Sequence, residues 1–245
     1  MRILILLSTL LLFSCDKTKK LYYGSGELQA MGAFIDNEEE GEWNFYYPSG
    51  QVQKVGTFVK GRMAGEWKEY FENGQLKSVG TYLNNKEEGA WNFYHENGQV
   101  HLDGQFVNGE KEGEWKSYHD NGNLSQTGAY KKGRKEGAWL SYHKDGQLKQ
   151  TGNYRTGFYD GEWATYYEDG KLMLTGTYES NRKEREWKYY YENGQLMQVG
   201  KYMHDKQEGK WSFYYDDGVL KSTRYYVNGE LYADGKRMDI QKTKQ

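Results

Sequence analysis

At 245 residues the chain has the length of one or two ordinary globular domains, yet only 36% of it is hydrophobic and its mean hydropathy is −1.05, which leaves a conventional two-layer core poorly supplied. Aromatic residues make up 17%, led by 24 Tyr beside 31 Gly and a single Pro, a mixture that favours strands and tight turns over helices. With 33 Lys plus Arg against 35 Asp plus Glu there is no basic footprint of the kind a nucleic-acid binder needs, so no nucleic-acid partner is expected.

The N-terminal residues differ from all that follow. Arg2 precedes an apolar run from Ile3 to Leu7, then Ser8 and Thr9, then Leu10 to Phe13, Ser14 and Cys15, the pattern of a secretory signal over 1–14. Its hydrophobic stretch, roughly 11 residues, falls short of the about 20 that a helix needs to span a bilayer. The segment Leu12-Phe13-Ser14-Cys15 resembles the lipobox of bacterial lipoproteins, which implies a lipid on Cys15, a membrane anchor and a place at the bacterial cell envelope. Cys15 is the only cysteine, so it has no internal disulfide partner. Residues 15–21 are then the lipidated cysteine and a short tether.

From there the chain is periodic. Trp43, Trp67, Trp91, Trp115, Trp139, Trp163, Trp187 and Trp211 are each 24 residues apart, with no insertion or deletion between them. Counting from each Trp as offset zero, offset +3 is always Tyr (Tyr46, Tyr70, Tyr94, Tyr118, Tyr142, Tyr166, Tyr190, Tyr214) and offset +7 is always Gly. Offset +9 is Val or Leu, and offset +13 is Gly in seven copies (Gly56, Gly80, Gly104, Gly128, Gly152, Gly176, Gly200). Offset +15 is Phe or Tyr, and offset −2 is Gly except at Arg185. A partial copy opens the series, with Tyr22, Tyr23, Gly26, Leu28, Gly32 and Phe34 in matching places and Lys19 where the Trp would stand, as expected of a capping repeat. The array is thus read over 22–235, with a partial repeat at 22–40, eight repeats from about 41 to 232 and a polar tail at 236–245.

Each unit reads as a hairpin. Asn73-Gly74, Asn97-Gly98, Asn121-Gly122, Asp145-Gly146, Asp169-Gly170, Asn193-Gly194 and Asp217-Gly218 are dipeptides suited to a two-residue turn with positive φ at both positions. Such a turn places Trp opposite Gly at +13, the aromatic or His at +4 opposite +9, and Gly at −2 opposite the aromatic at +15, so that a ring covers each bare glycine. Alternation puts these residues on one face. The other face carries offsets −1, +1, +3, +10, +12 and +14 and is mostly polar, as in Glu66, Lys68 and Tyr70 against Lys77, Val79 and Thr81. Between hairpins, a four-residue turn such as Asn108 to Lys111 would return residues 24 apart to one height, whereas a two-residue connection would shear each hairpin by two residues; the sequence is compatible with both. The expected fold class is all-β: an elongated single-layer antiparallel meander of about 16–18 strands built from 24-residue β-hairpin repeats, on the order of 80 Å long.

The recurring string E-G-E-W-x-x-Y-x-x-N-G-Q-L-x-x-x-G-x-Y resembles the bacterial variant of the MORN (membrane occupation and recognition nexus) repeat over nearly the whole mature chain. The resemblance implies a twisted antiparallel meander, and proteins of this variant class are often catalogued as YwqK-family antitoxins. Two functions follow as expectations: a membrane-anchored scaffold binding a protein, or a glycan or lipid, at the cell envelope; and an antitoxin or immunity-type protein that neutralises a cognate toxin.

No enzyme, metal or cofactor is expected. His95, His119 and His143 share offset +4 in consecutive repeats, but roughly 10 Å steps cannot place them on one ion with ligand bonds of ~2.1 Å, so they are read as substitutes for the Tyr or Phe found there in other copies. Glu40, Glu88, Glu112 and Glu136 recur before the Trp in copy after copy, where catalytic carboxylates would be singled out in one environment. The Trp–Gly packing has no use for the Tyr column at +3, set opposite Gln53, Lys77, His101, Ser125, Lys149, Met173, Met197 and Lys221, which makes it the candidate partner-binding face, the alternative being that sheet curvature or the phenols' own cross-strand contacts use it.

Overall fold

In the computed structural model residues 18–233 and 236–237 are described, with side chains through residue 232; the leader at 1–14, Cys15 and most of the tail at 236–245 lie outside the described residues. Among the described residues the chain forms one open antiparallel sheet of twenty strands without a helix, in which each strand pairs with its neighbours in sequence. The number exceeds the expected 16–18 because Thr18–Tyr22 pairs with Leu28–Ile35, completing the partial repeat, and because Glu230–Ala233 and Lys236–Arg237 prolong the sheet. The tether expected over 15–21 has therefore become strand by Thr18.

The turn within the hairpin differs from expectation, and the two-residue turn is found between hairpins, one of the two connections compatible with the sequence. At Asn73-Gly74 the Phe71 N–H donates to Gln75 O (2.8 Å) and the Gly74 N–H to Phe71 O (2.9 Å), and Gly74 alone has positive φ (85°). This is a three-residue loop, a type I turn closed by a left-handed glycine, and not the two-residue turn. The asparagine serves through its side chain instead: Asn73 Oδ1 accepts the Gln75 N–H at 2.9 Å, and Asn or Asp does the same in the later copies. The two-residue turn with positive φ at both positions lies between hairpins, as at Asn108 (53°) and Gly109 (83°) or Thr156 (50°) and Gly157 (90°).

Two bulges reconcile these turns with a constant pitch. Within a hairpin the expected pairing holds from Gly65↔Tyr82 through Trp67↔Gly80 to Glu69↔Ser78, then shifts so that Tyr70 faces Leu76 and Lys77 is left out of the ladder. Offset +3 therefore faces +9 and not +10, and the expected pairing of +4 with +9 is lost. Between hairpins the register runs Val107↔Glu110, Phe106↔Lys111 and Gln105↔Glu112, then jumps to Asp103↔Lys116. That bulge restores the two residues which the short connection removed, so both alternatives left by the sequence are realised in succession. Its kink sits on the glycine at −2: Gly113 has φ 69° and open space where a Cβ would be. The −2 glycines are thus present for their backbone angle and not because a ring covers them.

The core is a ladder of rings. In the backbone register Trp43, Trp91 and Trp139 each stand opposite a glycine on both sides, Trp139 between Gly128 and Gly152 for example, but the indole leans on the earlier one. A Cβ added at Gly56, Gly80, Gly104, Gly128, Gly152, Gly176 or Gly200 would lie within the indole of Trp67, Trp91, Trp115, Trp139, Trp163, Trp187 or Trp211 respectively, and one at Gly32 within that of Trp43. The ring therefore joins repeat to repeat, where the sequence had placed it across its own hairpin. The Trp67 Nε1–H donates to Thr57 O (3.2 Å), the carbonyl next to that glycine at the bulge, and six other indoles repeat the bond. Trp163 Nε1 is buried without a partner. Between the indoles lie the +15 rings, edge-on: Phe58 is 5.1 Å from Trp67, Tyr82 is 6.1 Å from Trp67 and 5.1 Å from Trp91, and the alternation runs on to Tyr226. Each such pair contributes about 0.5–1.5 kcal/mol beyond the area it buries.

A single layer has no second sheet to cover this ladder, and the cover comes from its own side chains. Lys111, Lys135 and Lys183 set their ammonium groups 4.1, 4.0 and 4.5 Å from the Trp115, Trp139 and Trp187 ring centres. All eight indoles are 0–5% exposed, those without a lysine above them included.

Burial in the ladder makes the phenols hard to ionise. Tyr82 is pushed up to about 12, first by burial and then by Glu87 and Glu69, and burial likewise raises Tyr130 and Tyr178. A phenol whose proton is held more tightly in the folded state contributes its stabilisation in full below the unfolded value of about 10 and loses it as pH climbs toward the folded one. The melting temperature should thus fall between pH ~10 and pH ~12, and Tyr82→Phe should make that fall shallower. An equal decline in the variant would show that this phenol is not a contributor.

Candidate binding face

The tyrosines at +3 (Tyr46, Tyr70, Tyr94, Tyr118, Tyr142, Tyr166, Tyr190 and Tyr214) close the first strand of each repeat, and all are half-buried. Their side chains take no part in the ring ladder. Tyr118 donates its hydroxyl to Asp103 Oδ2 (3.1 Å), a +12 residue of the face opposite the indoles, and burial followed by that carboxylate raises its phenol above the usual value. The same face carries Glu66–Lys68, Glu114–Lys116 and Glu186–Lys188 pairs at 2.9, 3.3 and 3.0 Å. These are solvated, and such pairs contribute about 0–1 kcal/mol, so they shape the charge pattern of the face more than its stability.

The neighbouring column, at +4, is structural. The bulge at +10 interrupts the ladder beside each +3 residue, and the +4 side chain of the preceding repeat bonds to the +3 carbonyl there: Tyr47 Oη donates to Tyr70 O (2.8 Å) and Tyr167 Oη to Tyr190 O (2.6 Å). His95, His119 and His143 do the same through Nε2 to the carbonyls of Tyr118, Tyr142 and Tyr166 at 2.9, 3.0 and 3.2 Å. A carbonyl only accepts, so these bonds place the proton on Nε2. The substitution of Tyr by His read from the sequence thus has a shared bond behind it.

The recurring glutamates at −3 are committed as well. Glu40, Glu88, Glu112 and Glu136 each accept the backbone N–H of the first residue of a two-residue turn, from Lys60, Asn108, Lys132 and Thr156 at 2.8, 2.9, 2.8 and 2.7 Å. Among the described residues no three His, Cys, Asp or Glu side chains gather as a metal site.

One stretch departs from the pattern in several places at once. Asp160 stands at −3 and pairs with Arg155 (2.7 Å); Arg185 replaces the −2 glycine, holds φ 61° and pairs with Glu179 (2.8 Å). Together with Thr177 and Tyr178 they line an open cleft of about 390 Å³. At the far end Arg224 replaces the +13 glycine and stacks on Phe213 at 4.9 Å, a position where no further indole has to be received. Sequence reasoning missed both bulges; for the one between hairpins the −2 glycine, present before every Trp but Trp187, was the available signal, and it was assigned to ring coverage.

The family model described as MORN repeat variant matches eight segments, 39–60, 63–84, 87–108, 111–132, 135–155, 159–180, 185–204 and 207–228. No curated protein matches the chain. Among solved structures, TcdB2-TccC3-Cdc42 is 12% identical, with 84% of this chain and 14% of that chain covered and a TM-score of 0.21. TcdB2-TccC3-TEV is 14% identical, with 87% and 15% covered and a TM-score of 0.21. TcdB2-TccC3 without its hypervariable C-terminal region is 14% identical, with 90% and 16% covered and a TM-score of 0.19. The chain thus spans less than a fifth of the length of these chains, at scores that decide nothing about its own architecture or activity.

Proposed function

The chain belongs to the MORN repeat variant family, and from that premise we propose that it is a binding scaffold, not an enzyme, which holds a protein partner along its Tyr face at the bacterial cell envelope and is tethered there by a lipid on Cys15. One observation carries the reading: the ring ladder, the +4 column and the −3 glutamates each serve the backbone or the core, while the half-exposed Tyr column at +3 recurs in all eight copies without entering the ladder. Aromatic residues on a rigid support suit recognition, because they present large contact area with little side-chain entropy to lose.

The face is tested by changing Tyr118, Tyr142 and Tyr166 together to Ser in the full chain. Capture of the partner should be lost while the circular dichroism spectrum and the indole emission of the folded protein are kept; undiminished capture would remove the Tyr face from the proposal. The tether is tested separately by palmitate labelling, expected in the native chain and absent from Cys15→Ser.

A further inference from the structure

The bulge that excludes every +10 residue from the ladder has a chemical consequence in one repeat only. There the +10 residue is His101, and its Nδ1 stands 3.3 Å from Nε2 of His95, with ring centres 4.4 Å apart and planes at 62°. The same Nε2 lies 2.9 Å from the carbonyl oxygen of Tyr118 in the next hairpin. Three donor atoms from three strands or turns therefore converge: two imidazole nitrogens and one main-chain oxygen.

We propose that His95 Nε2, His101 Nδ1 and the Tyr118 carbonyl oxygen form a surface site for a divalent transition-metal ion of the zinc, nickel or copper class. Two nitrogens each ~2.1 Å from one ion stand ~3.4 Å apart in tetrahedral coordination and ~3.0 Å apart at a right angle. The observed spacings of 3.3 and 2.9 Å fall close to those two values, so little movement of the side chains is needed to admit an ion. Two imidazoles select the borderline metals over magnesium or calcium, which take oxygen ligands. On binding, the ion takes the place of the Nε2 proton that His95 directs at the Tyr118 carbonyl, and the imidazole stays neutral by carrying its proton on Nδ1 instead. The remaining coordination positions face solvent, where water or a side chain of a second molecule completes the shell.

The repeat supplies its own controls. His119 and His143 bond to Tyr142 and Tyr166 carbonyls in the same manner, but their +10 neighbours are Ser125 and Lys149. A column of single imidazoles at a pitch of roughly 10 Å still cannot share an ion; the site arises across the hairpin, from the residue the bulge turns out.

The experiment is calorimetric titration of the full chain, purified without a polyhistidine tag, with zinc and with nickel salts, followed on the histidine ring resonances by NMR. One ion per chain is expected, with the His95 and His101 rings responding first. His101→Ser, which recreates the neighbouring repeat at an exposed position outside the ladder, should weaken binding by about tenfold or more, since even outer-shell partners of a ligand are commonly worth 10–100-fold. His119→Phe should leave it unchanged. Equal affinity in His101→Ser, or an equal loss in His119→Phe, would overturn the site. Changing Tyr142 and Tyr166 alone to Ser, with Tyr118 left in place, should leave ion binding unchanged, which separates this outcome from that of the proposed partner face.

Discussion

Truncating Trp139 to alanine is expected to cost about 3–5 kcal/mol, the range for a large aromatic removed from a closed core. The indole is 4% exposed, lies against Gly128, meets Tyr130 and Tyr154 edge-on at 5.2 and 5.8 Å, and donates to Ala129 O at 3.1 Å. Its removal leaves a groove over bare backbone, an unpaired carbonyl at a bulge and two rings without their edge contact. Each strand pairs only with its neighbours, so stability is close to a sum of repeat and junction contributions, and a lesion at a central junction divides the array into two blocks. Urea unfolding should accordingly show a lower midpoint and a broadened or split transition; an unchanged single transition would mean that the indole does not join the repeats.

Gly128→Ala should destabilise by about 3 kcal/mol, the upper part of the overpacking range. The added methyl would fall within the Trp139 indole, which cannot retreat because Tyr130 and Tyr154 hold its two sides, nor can the strand, which is paired on both edges. Gly137→Ala provides the contrast. That glycine has φ 69° and open space around it, so alanine there should incur only the left-handed penalty of about 1–2 kcal/mol. The decisive comparison is the double variant: once Trp139 is alanine, Gly128→Ala should cost little, giving a strongly non-additive cycle. Additive losses would place the indole elsewhere.

The 24-residue period, the open meander and the pairing of Trp with glycine were legible because a constant spacing of Trp, Tyr and Gly leaves few other ways to arrange hairpins. Which glycine receives the ring was not. Trp139 is beside Gly128 and Gly152 in the register, and backbone pairing does not say to which side an indole leans. Asn73-Gly74 misled for a related reason: Asn tolerates the left-handed region, so the dipeptide serves both a two-residue turn and a type I turn closed by glycine, and the backbone bonds at Phe71 with positive φ at Gly74 alone separate them. That single extra loop residue shifts the last pair of the hairpin, which is why the tyrosines at +3 face +9 and why His101 turns toward His95. A bulge leaves a weak trace in sequence, since its one requirement is a permissive angle, and Arg185 meets even that without glycine. The leader over 1–14 and the lipid on Cys15 are expectations from the N-terminal pattern, on residues outside the described ones.

The central claim, that each indole rests on the glycine of the preceding repeat, is tested most directly by proton NMR of the native chain. The account predicts that the Hα resonances of Gly56 through Gly200 at +13 are shifted strongly upfield by the ring above them, with nuclear Overhauser contacts from Gly128 Hα to the ring protons of Trp139 and not to those of Trp115. Glycine Hα resonances at ordinary positions, or contacts running to the indole of the same hairpin, would contradict it.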